Sequence, residues 1–219
     1  MGGLLRLGVA PTFGPYYLPR LLPLLHETYP DLEIYIREDR AHLLEDSVAD
    51  GSIDCALAPQ PAERDRLDYR ELMIEPLFLG MPSRHRLAQV ENLTTGMLEG
   101  ERMLTLGPGH RLSHHVRALC ADSGAVLREE YEGTSLDALR QMVSIGMGLS
   151  VFPALYAASE FVRREEQVVL RQIMDRPLMR SVGLLWRRGH VRAEHFQSFG
   201  DACRRIATEL SGQLLPEPE

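Results

Sequence analysis

The sequence predicts an α/β protein of two lobes. Strand, helix, strand, helix and strand patterns follow one another within residues 5–57, which requires parallel pairing through right-handed crossovers. A second helix–strand unit occupies 133–153, and strand-like segments lie between the two blocks. Two such blocks joined by strands predict a cleft between two lobes, and clefts of this kind are where small ligands bind.

The first block contains three strands and two helices. Alternating apolar residues at 5–9 predict the first strand, and Pro15 suits the first turn of the helix that follows. Pro19 and Pro23 are unfavourable inside a helix and predict a kink or a late start. The remaining elements are a strand at 32–36, a helix at 42–49 and a buried strand at 53–57.

The later elements follow the same two periodicities. The predicted strands are 67–71, 77–81, 103–106, 129–131, 168–173 and 182–186, and the predicted helices carry apolar faces at 112–120 and 196–210. A further helix begins near Thr134, which with Asp137 resembles a capping box. Its inner face is Leu136, Leu139, Arg140 and Val143, of which three are apolar.

Three helix starts directly follow strand ends, at 12–14, 109–112 and 134–135. The first N–H groups of a helix have no acceptor within the helix, so such starts favour anions and small polar ligands. In open α/β sheets ligands bind at this edge. We therefore expect the binding residues of this protein at these three places.

Composition excludes several classes of function. The net charge is −7 over 219 residues, so the chain has no overall basic face for DNA, and all 24 basic residues are arginine. No apolar run is long enough for a membrane span and no signal peptide is recognisable. Three cysteines, far apart in the sequence, indicate a reducing, cytoplasmic location. Their spacing is not that of metal ligands. No nucleophile elbow, zinc motif or P-loop is present, so we expect neither enzyme activity nor a cofactor.

Several motifs resemble the effector-binding domain of LysR-type transcriptional regulators. They are 8–12 (GVAPT), Leu18-Pro19, 29–33 (YPDLE) and the helix–strand unit 134–153. The resemblance implies a type-II periplasmic-binding-protein-like fold, with lobe I at 1–73 and 181–219 and lobe II at 74–180. It also implies a small-molecule or peroxide-type effector, a homodimer or tetramer, no membrane, and DNA contact only through an N-terminal winged helix-turn-helix domain that is absent from this chain.

Within that family the resemblance is strongest to the peroxide-sensing, OxyR-type branch. Its sensors carry a reactive Cys directly after a Gly-His pair and a resolving Cys nine positions later. Here Gly109-His110 is followed by Arg111, while Cys120 stands at the resolving position and is the redox candidate. A guanidinium cannot form a sulfenic acid or a disulfide. Thiol-based peroxide sensing is therefore expected to be doubtful or disabled.

The candidate residues each have a functional and a structural interpretation. The effector-binding candidates are Thr12, Gly14, His110, Arg111, Thr134 and Ser135; Leu22 and Tyr131 match subunit-interface positions of the resembled branch. The structural alternatives are helix caps for the hydroxyl residues, a surface loop for His110, a buried inert thiol for Cys120 and ordinary packing for the interface pair. Arg111 could bind an anion, face solvent, mimic one sensor state or be an introduced replacement. Two alternative functions are a stand-alone solute-binding protein and a LysR-type sensor of a small anionic metabolite.

Overall fold

The computed structural model describes residues 2–61, 65–133, 135–161, 167–191 and 193–214, with the backbone alone at 129–133 and 213–214. The chain divides into two compact units. Unit 1 comprises Met1–Glu75 and Arg180–Glu219, and unit 2 comprises Pro76–Met179. Among the described residues, no helix has the length and apolar character that a membrane crossing requires.

Unit 1 begins with the alternating block that the sequence predicts. Its elements are β1 (Gly3–Val9), α1 (Gly14–Thr28), β2 (Leu32–Glu38), α2 (Ala41–Asp50) and β3 (Cys55–Pro59). Strand β1 pairs in parallel with both β2 and β3, as the crossover rule requires. The core beneath α2 is formed by Leu44, Val48, Ile53 and Leu185.

Two long strands connect the units. They are β4 (Leu67–Pro82) and β9 (Leu178–Arg187). In unit 1, β9 pairs antiparallel with β3, with Cys55 opposite Trp186, and β4 lies next to β9. The last helix, α6 (Ala193–Leu214), packs on α1.

Unit 2 repeats the strand–helix pattern. Its elements are β5 (Arg102–Leu106), α3 (Arg111–Ser123), β6 (Val126–Gly133), α4 (Leu136–Ser144), β7 (Ser150–Pro153), α5 (Ala154–Glu160) and β8 (Val168–Arg171). Strands β5 and β6 are parallel, and a parallel bridge joins Met103 to Leu149 just before β7. The far end of β4 pairs antiparallel with β7 and β8.

One alternative and one element prediction were wrong. The late start of α1 is excluded, because the helix runs from Gly14 through Pro19 and Pro23. Both prolines lie on the exposed face, where water can bind the carbonyl groups that lose their helical partners. The strands expected at 67–71 and 77–81 are one strand, because Glu75 is paired inside the sheet rather than ending it. Helix α5 was not predicted.

Candidate functional site

Thr12 lies in the turn between β1 and α1 and is held there by Arg180. The Nη1 atom of Arg180 donates to the Thr12 hydroxyl over 2.8 Å, and Nη2 donates to the Thr12 carbonyl oxygen over 2.9 Å. Thr12 is only 6% exposed. Because a hydroxyl both donates and accepts, this arrangement leaves its proton as the group that Thr12 can offer a ligand.

The same arginine forms a buried ion pair with Glu75. Its Nε and Nη2 atoms both lie 2.7 Å from the Glu75 Oε2 atom, and the two side chains are 2% and 0% exposed. Arg180 and Glu75 are the unit 1 residues at which β9 and β4 cross the boundary between the units. Burial of two charges is tolerated only where each is paired and hydrogen-bonded. The ion pair with Glu75, in the middle of β4, therefore holds Arg180 in place, and Arg180 holds Thr12.

Gly14 is the first residue of α1 and allows a close approach to β1. A β-carbon at this position would lie 2.8 Å from the Val9 Cγ2 atom, which is closer than side chains pack. Phe13, not Thr12, occupies the N-cap position, and no side chain caps the helix there. The interpretation of Thr12 as a helix cap is therefore wrong, since its hydroxyl is used by Arg180 instead.

The candidates of unit 2 lie at one edge of its parallel strands. Leu106 is in register with Gly133, so β5 and β6 end together. Helix α3 begins at Arg111, soon after β5, and α4 begins at Leu136, soon after β6. His110, Arg111 and Ser135 therefore follow the same carboxyl edge, whereas Thr12 and Gly14 belong to unit 1. Thr134 lies outside the described residues.

His110 is a buried residue at the start of α3. It is 7% exposed, and its carbonyl oxygen accepts hydrogen bonds from the Ser113 amide over 3.0 Å and the Ser113 hydroxyl over 2.7 Å. The alternative of a surface loop histidine is therefore wrong. Arg111 follows as the first residue of α3 and is half-buried. A cation at a helix N-terminus is repelled by the positive end of the helix dipole. A nearby anion would interact favourably with both the cation and the dipole.

Ser135 caps α4. Its hydroxyl oxygen accepts a hydrogen bond from the Ala138 amide over 3.2 Å, and its side chain is exposed. The structural interpretation of Ser135, that of a helix cap, is thus confirmed. The expected capping box of Thr134 and Asp137 was wrong in its register, because the N-cap is Ser135 and Asp137 is the second residue of the helix.

A polar cluster next to this helix start was not among the predicted site residues. Arg140 is 5% exposed and donates from Nε to the Tyr156 hydroxyl oxygen over 3.1 Å. The Tyr156 hydroxyl donates in turn to the Asp137 Oδ1 atom over 3.0 Å. The signal was present in the sequence, since Arg140 is the one charged residue on an otherwise apolar helix face.

All three cysteines are buried free thiols. Desolvation raises the pKa of the Cys120 thiol, and it raises the pKa of Cys55 and Cys203 as well. Since the thiolate is the reactive form, each of these groups is a poor nucleophile at neutral pH. Cys120 therefore has the surroundings of an inert core residue.

The two interface candidates lie on α1 and β6. Leu22 is half-buried on α1, and Tyr131 lies on β6, where the structure describes the backbone alone. Helices α1 and α6 enclose a groove of about 350 Å³ that is lined by Pro19, Arg20, Pro23, Ile206, Glu209 and Leu210. Within the described ranges, no three His, Cys, Asp or Glu side chains converge as metal ligands do.

Comparison with known proteins places this geometry in context. Residues 1–207 match the family model described as the LysR substrate binding domain. The chain is 33% identical over 204 residues to the DNA-binding transcriptional dual regulator OxyR of Escherichia coli (strain K12). That match covers 93% of this chain but 66% of the relative, so the chain spans just under two thirds of the relative's length.

Solved structures give the same result for the fold. The oxidised form of OxyR superimposes with a TM-score of 0.84 at 32% identity, over 94% of this chain and 96% of that one. A cysteine-to-serine mutant of Corynebacterium glutamicum OxyR with H₂O₂ bound superimposes with a TM-score of 0.86 at 29% identity, over 99% of this chain and 70% of that one. The predicted two-lobed, periplasmic-binding-protein-like α/β fold is thereby confirmed.

Proposed function

The chain belongs to the LysR substrate binding domain family, and from this membership we propose that it is the effector-sensing regulatory domain of an OxyR-like transcription factor that works without a reactive thiol. The effector is a small molecule, and it acts by binding one arrangement of the regulator more tightly than another, which is the only way a ligand shifts an equilibrium. DNA contact belongs to a winged helix-turn-helix domain elsewhere in the regulator, and the site of action is the cytoplasm.

One observation carries the proposal. Arg111 is the first residue of α3, and every cysteine of this chain is buried. We propose that Arg111 stands where the peroxide-sensing branch has its reactive cysteine. A helix start with a half-buried guanidinium favours an anion such as a carboxylate, phosphate or sulfate. The effector side chains we assign are Thr12, His110, Arg111, Thr134 and Ser135, with Gly14 allowing the close approach of α1.

Peroxide binding without thiol chemistry has a parallel among the relatives. The C. glutamicum OxyR structure that contains H₂O₂ is that of a cysteine-to-serine mutant. A site of this fold can therefore hold peroxide when a cysteine is replaced. In the present chain we propose that Arg111 converts such a site from peroxide reduction to recognition of a small anion.

The decisive variant is Arg111→Cys. We expect stoichiometric peroxide to change the mass of this variant, by about +16 Da where the new thiolate becomes a sulfenic acid and by about −2 Da where that sulfenic acid condenses with Cys120 to a disulfide. The helix N-terminus lowers the pKa of a thiol placed there, which activates it. The measurement is intact-mass spectrometry without denaturant, with the unmodified chain as the control that stays unchanged. Equal oxidation of both proteins would contradict the proposal.

We also propose a homodimer, or a tetramer built from it, with Leu22 and Tyr131 at the interface. Light scattering at micromolar concentration should give about twice the chain mass of 24.7 kDa. Leu22→Glu places a charge at a half-buried position of α1 and should shift the protein to the monomer. A monomer at high concentration would exclude this assembly.

A further inference from the structure

The starting point is the buried guanidinium of Arg140 in unit 2. Its helix face carries Leu136, Leu139 and Val143, which are 2%, 0% and 0% exposed. Arg140 lies among them at 5% exposure. A charged group in such surroundings is costly unless its donors are paired.

The pairing of Arg140 is incomplete. Its Nε atom donates to Tyr156, but among the described residues its buried Nη2 atom has no hydrogen-bond partner. The nearest carboxylate oxygen, Oδ1 of Asp137, lies 3.7 Å from Nη2, and that oxygen already accepts from the Tyr156 hydroxyl. An unsatisfied buried donor costs about 1–3 kcal/mol, and more when it is charged. A group that binds Nη2 is therefore expected.

Arg140 Nη2 lies 3.7 Å from Asp137 Oδ1, and Asp137 belongs to the first turn of α4. Among the described residues, the amide of this turn that binds the Ser135 hydroxyl is that of Ala138. The first amides of a helix have no acceptor within the helix. The start of α4 and Arg140 Nη2 therefore offer donors and positive potential to the same small region.

A second unpaired group lies on a neighbouring element. The buried Thr105 Oγ1 atom has no hydrogen-bond partner among the described residues, and Thr105 is the last residue but one of β5. Helix α4 packs against β5. Thr105 Oγ1 is thus a second buried polar group of unit 2 without a partner among the described residues, on an element packed against α4.

We propose that Arg140 is the anchor of a binding subsite in unit 2 for a small monoanionic carboxylate, held by Arg140 Nη2 and the first amides of α4. The guanidinium fork matches a carboxylate. The Asp137 carboxylate, 60% exposed, repels a second negative charge, so the site selects a monoanion over a dianion. The biological role of this subsite rests on the proposed sensing function, whereas binding itself is measured directly.

The test uses the full chain and sodium acetate as the probe, with sulfate as the dianion at equal ionic strength. Nuclear magnetic resonance follows the backbone amides of Leu136 and Asp137. We expect saturable shifts with acetate and weaker binding of sulfate. Arg140→Met should weaken acetate binding at least about tenfold, whereas Arg117→Met, which removes an exposed arginine of α3, should not.

Asp137→Asn keeps the guanidinium and removes the repulsion, so it should tighten acetate binding about threefold or more. This variant keeps the proposal falsifiable if Arg140→Met fails to fold. Unchanged binding in either variant overturns the inference. If Arg111→Met abolishes acetate binding while Arg140→Met leaves it intact, the anion site of the proposed function stands and the Arg140 subsite is overturned.

Discussion

Two buried arginines, one in each unit, have opposite surroundings. Arg180 in unit 1 donates to Glu75 and twice to Thr12, and both members of its ion pair are almost fully buried. Arg140 in unit 2 donates to one neutral hydroxyl, and its nearest carboxylate belongs to the mostly exposed Asp137. Arg180 contacts Thr12, which we assign to effector binding, and Arg140 lies on α4, the helix that Ser135 caps.

This difference distinguishes a buried charge that stabilises the fold from a buried charge that can bind a ligand. A buried charge whose donors are all used stabilises its own surroundings and has nothing left to offer. A buried charge with an unused donor is a cost to the protein alone and becomes favourable when a ligand arrives. The satisfied arginine therefore positions Thr12, and the unsatisfied one is the place to look for a ligand.

The largest expected effect comes from breaking the satisfied pair. Arg180→Met leaves the Glu75 carboxylate buried without its partner, and this should lower the free energy of unfolding by about 3–5 kcal/mol. Urea denaturation measures it. The matched control is Arg188→Met, which removes an exposed ion pair with Asp68 and should cost less than about 1 kcal/mol. Equal costs for the two variants would remove the distinction.

The double variant Arg180→Met/Glu75→Leu sharpens this result. It removes both charges, so no uncompensated carboxylate remains, and most of the stability lost in Arg180→Met should return. A double variant as unstable as the single one would show that the hydrogen bonds to Thr12, rather than the ion pair, carry the stability.

The pH dependence of stability is the next largest effect. Burial raises the pKa of Cys55, Cys120 and Cys203, so the folded protein keeps these protons where unfolded thiols, with pKa near about 8.5, lose them. The folded state thus binds more protons. The contribution of the thiols to stability is fully present below about pH 8.5 and is lost above it, by at most about 0.8 kcal/mol for each thiol at about pH 9.

The loss of stability at alkaline pH can also be compared between the units, since Cys55 and Cys203 belong to unit 1 and Cys120 belongs to unit 2. Urea unfolding at neutral and alkaline pH measures the loss. Cys203→Ala should reduce it by the share of one thiol. Stability that rises between neutral pH and about pH 9 would contradict the buried, protonated thiols.

The smallest effect is expected at the unsatisfied arginine. Arg140→Met removes a poorly paired charge and keeps an unbranched apolar side chain among the core residues. It also leaves the Tyr156–Asp137 hydrogen bond in place. The free energy of unfolding should change by less than about 1 kcal/mol. A loss as large as that of Arg180→Met would show that Arg140 is a structural residue and that its Nη2 atom is paired in solution.

The sequence predicted the parts of this protein that depend on local pattern. Alternation and helical spacing located β1, α2 and α4, and the strand–helix order predicted the parallel pairing of β1. The late start considered for α1 was wrong, because the sequence pattern does not show that Pro19 and Pro23 share an exposed face. The resemblance, not the periodicity, directed attention to Arg111.

The buried pairs could not be predicted, because they depend on register between distant strands. Arg180 and Glu75 are 105 positions apart and meet only through the crossing strands β4 and β9. The sequence analysis predicted separate strands at 67–71 and 77–81 and assigned no role to Glu75, which lies between them. Arg140 was visible as a charge on an apolar face, but its partner Tyr156 lies on α5, an element that was not predicted.

The central claim is that this regulatory domain senses its effector without a cysteine, and a count of free thiols tests it most directly. The folded chain is treated with stoichiometric peroxide, denatured and alkylated, and the alkyl groups are counted by mass spectrometry. We predict three alkylated cysteines with and without peroxide, since Cys55, Cys120 and Cys203 are all buried. Rapid loss of two free thiols, with a disulfide that includes Cys120, would contradict the account and show that thiol sensing has moved to another pair.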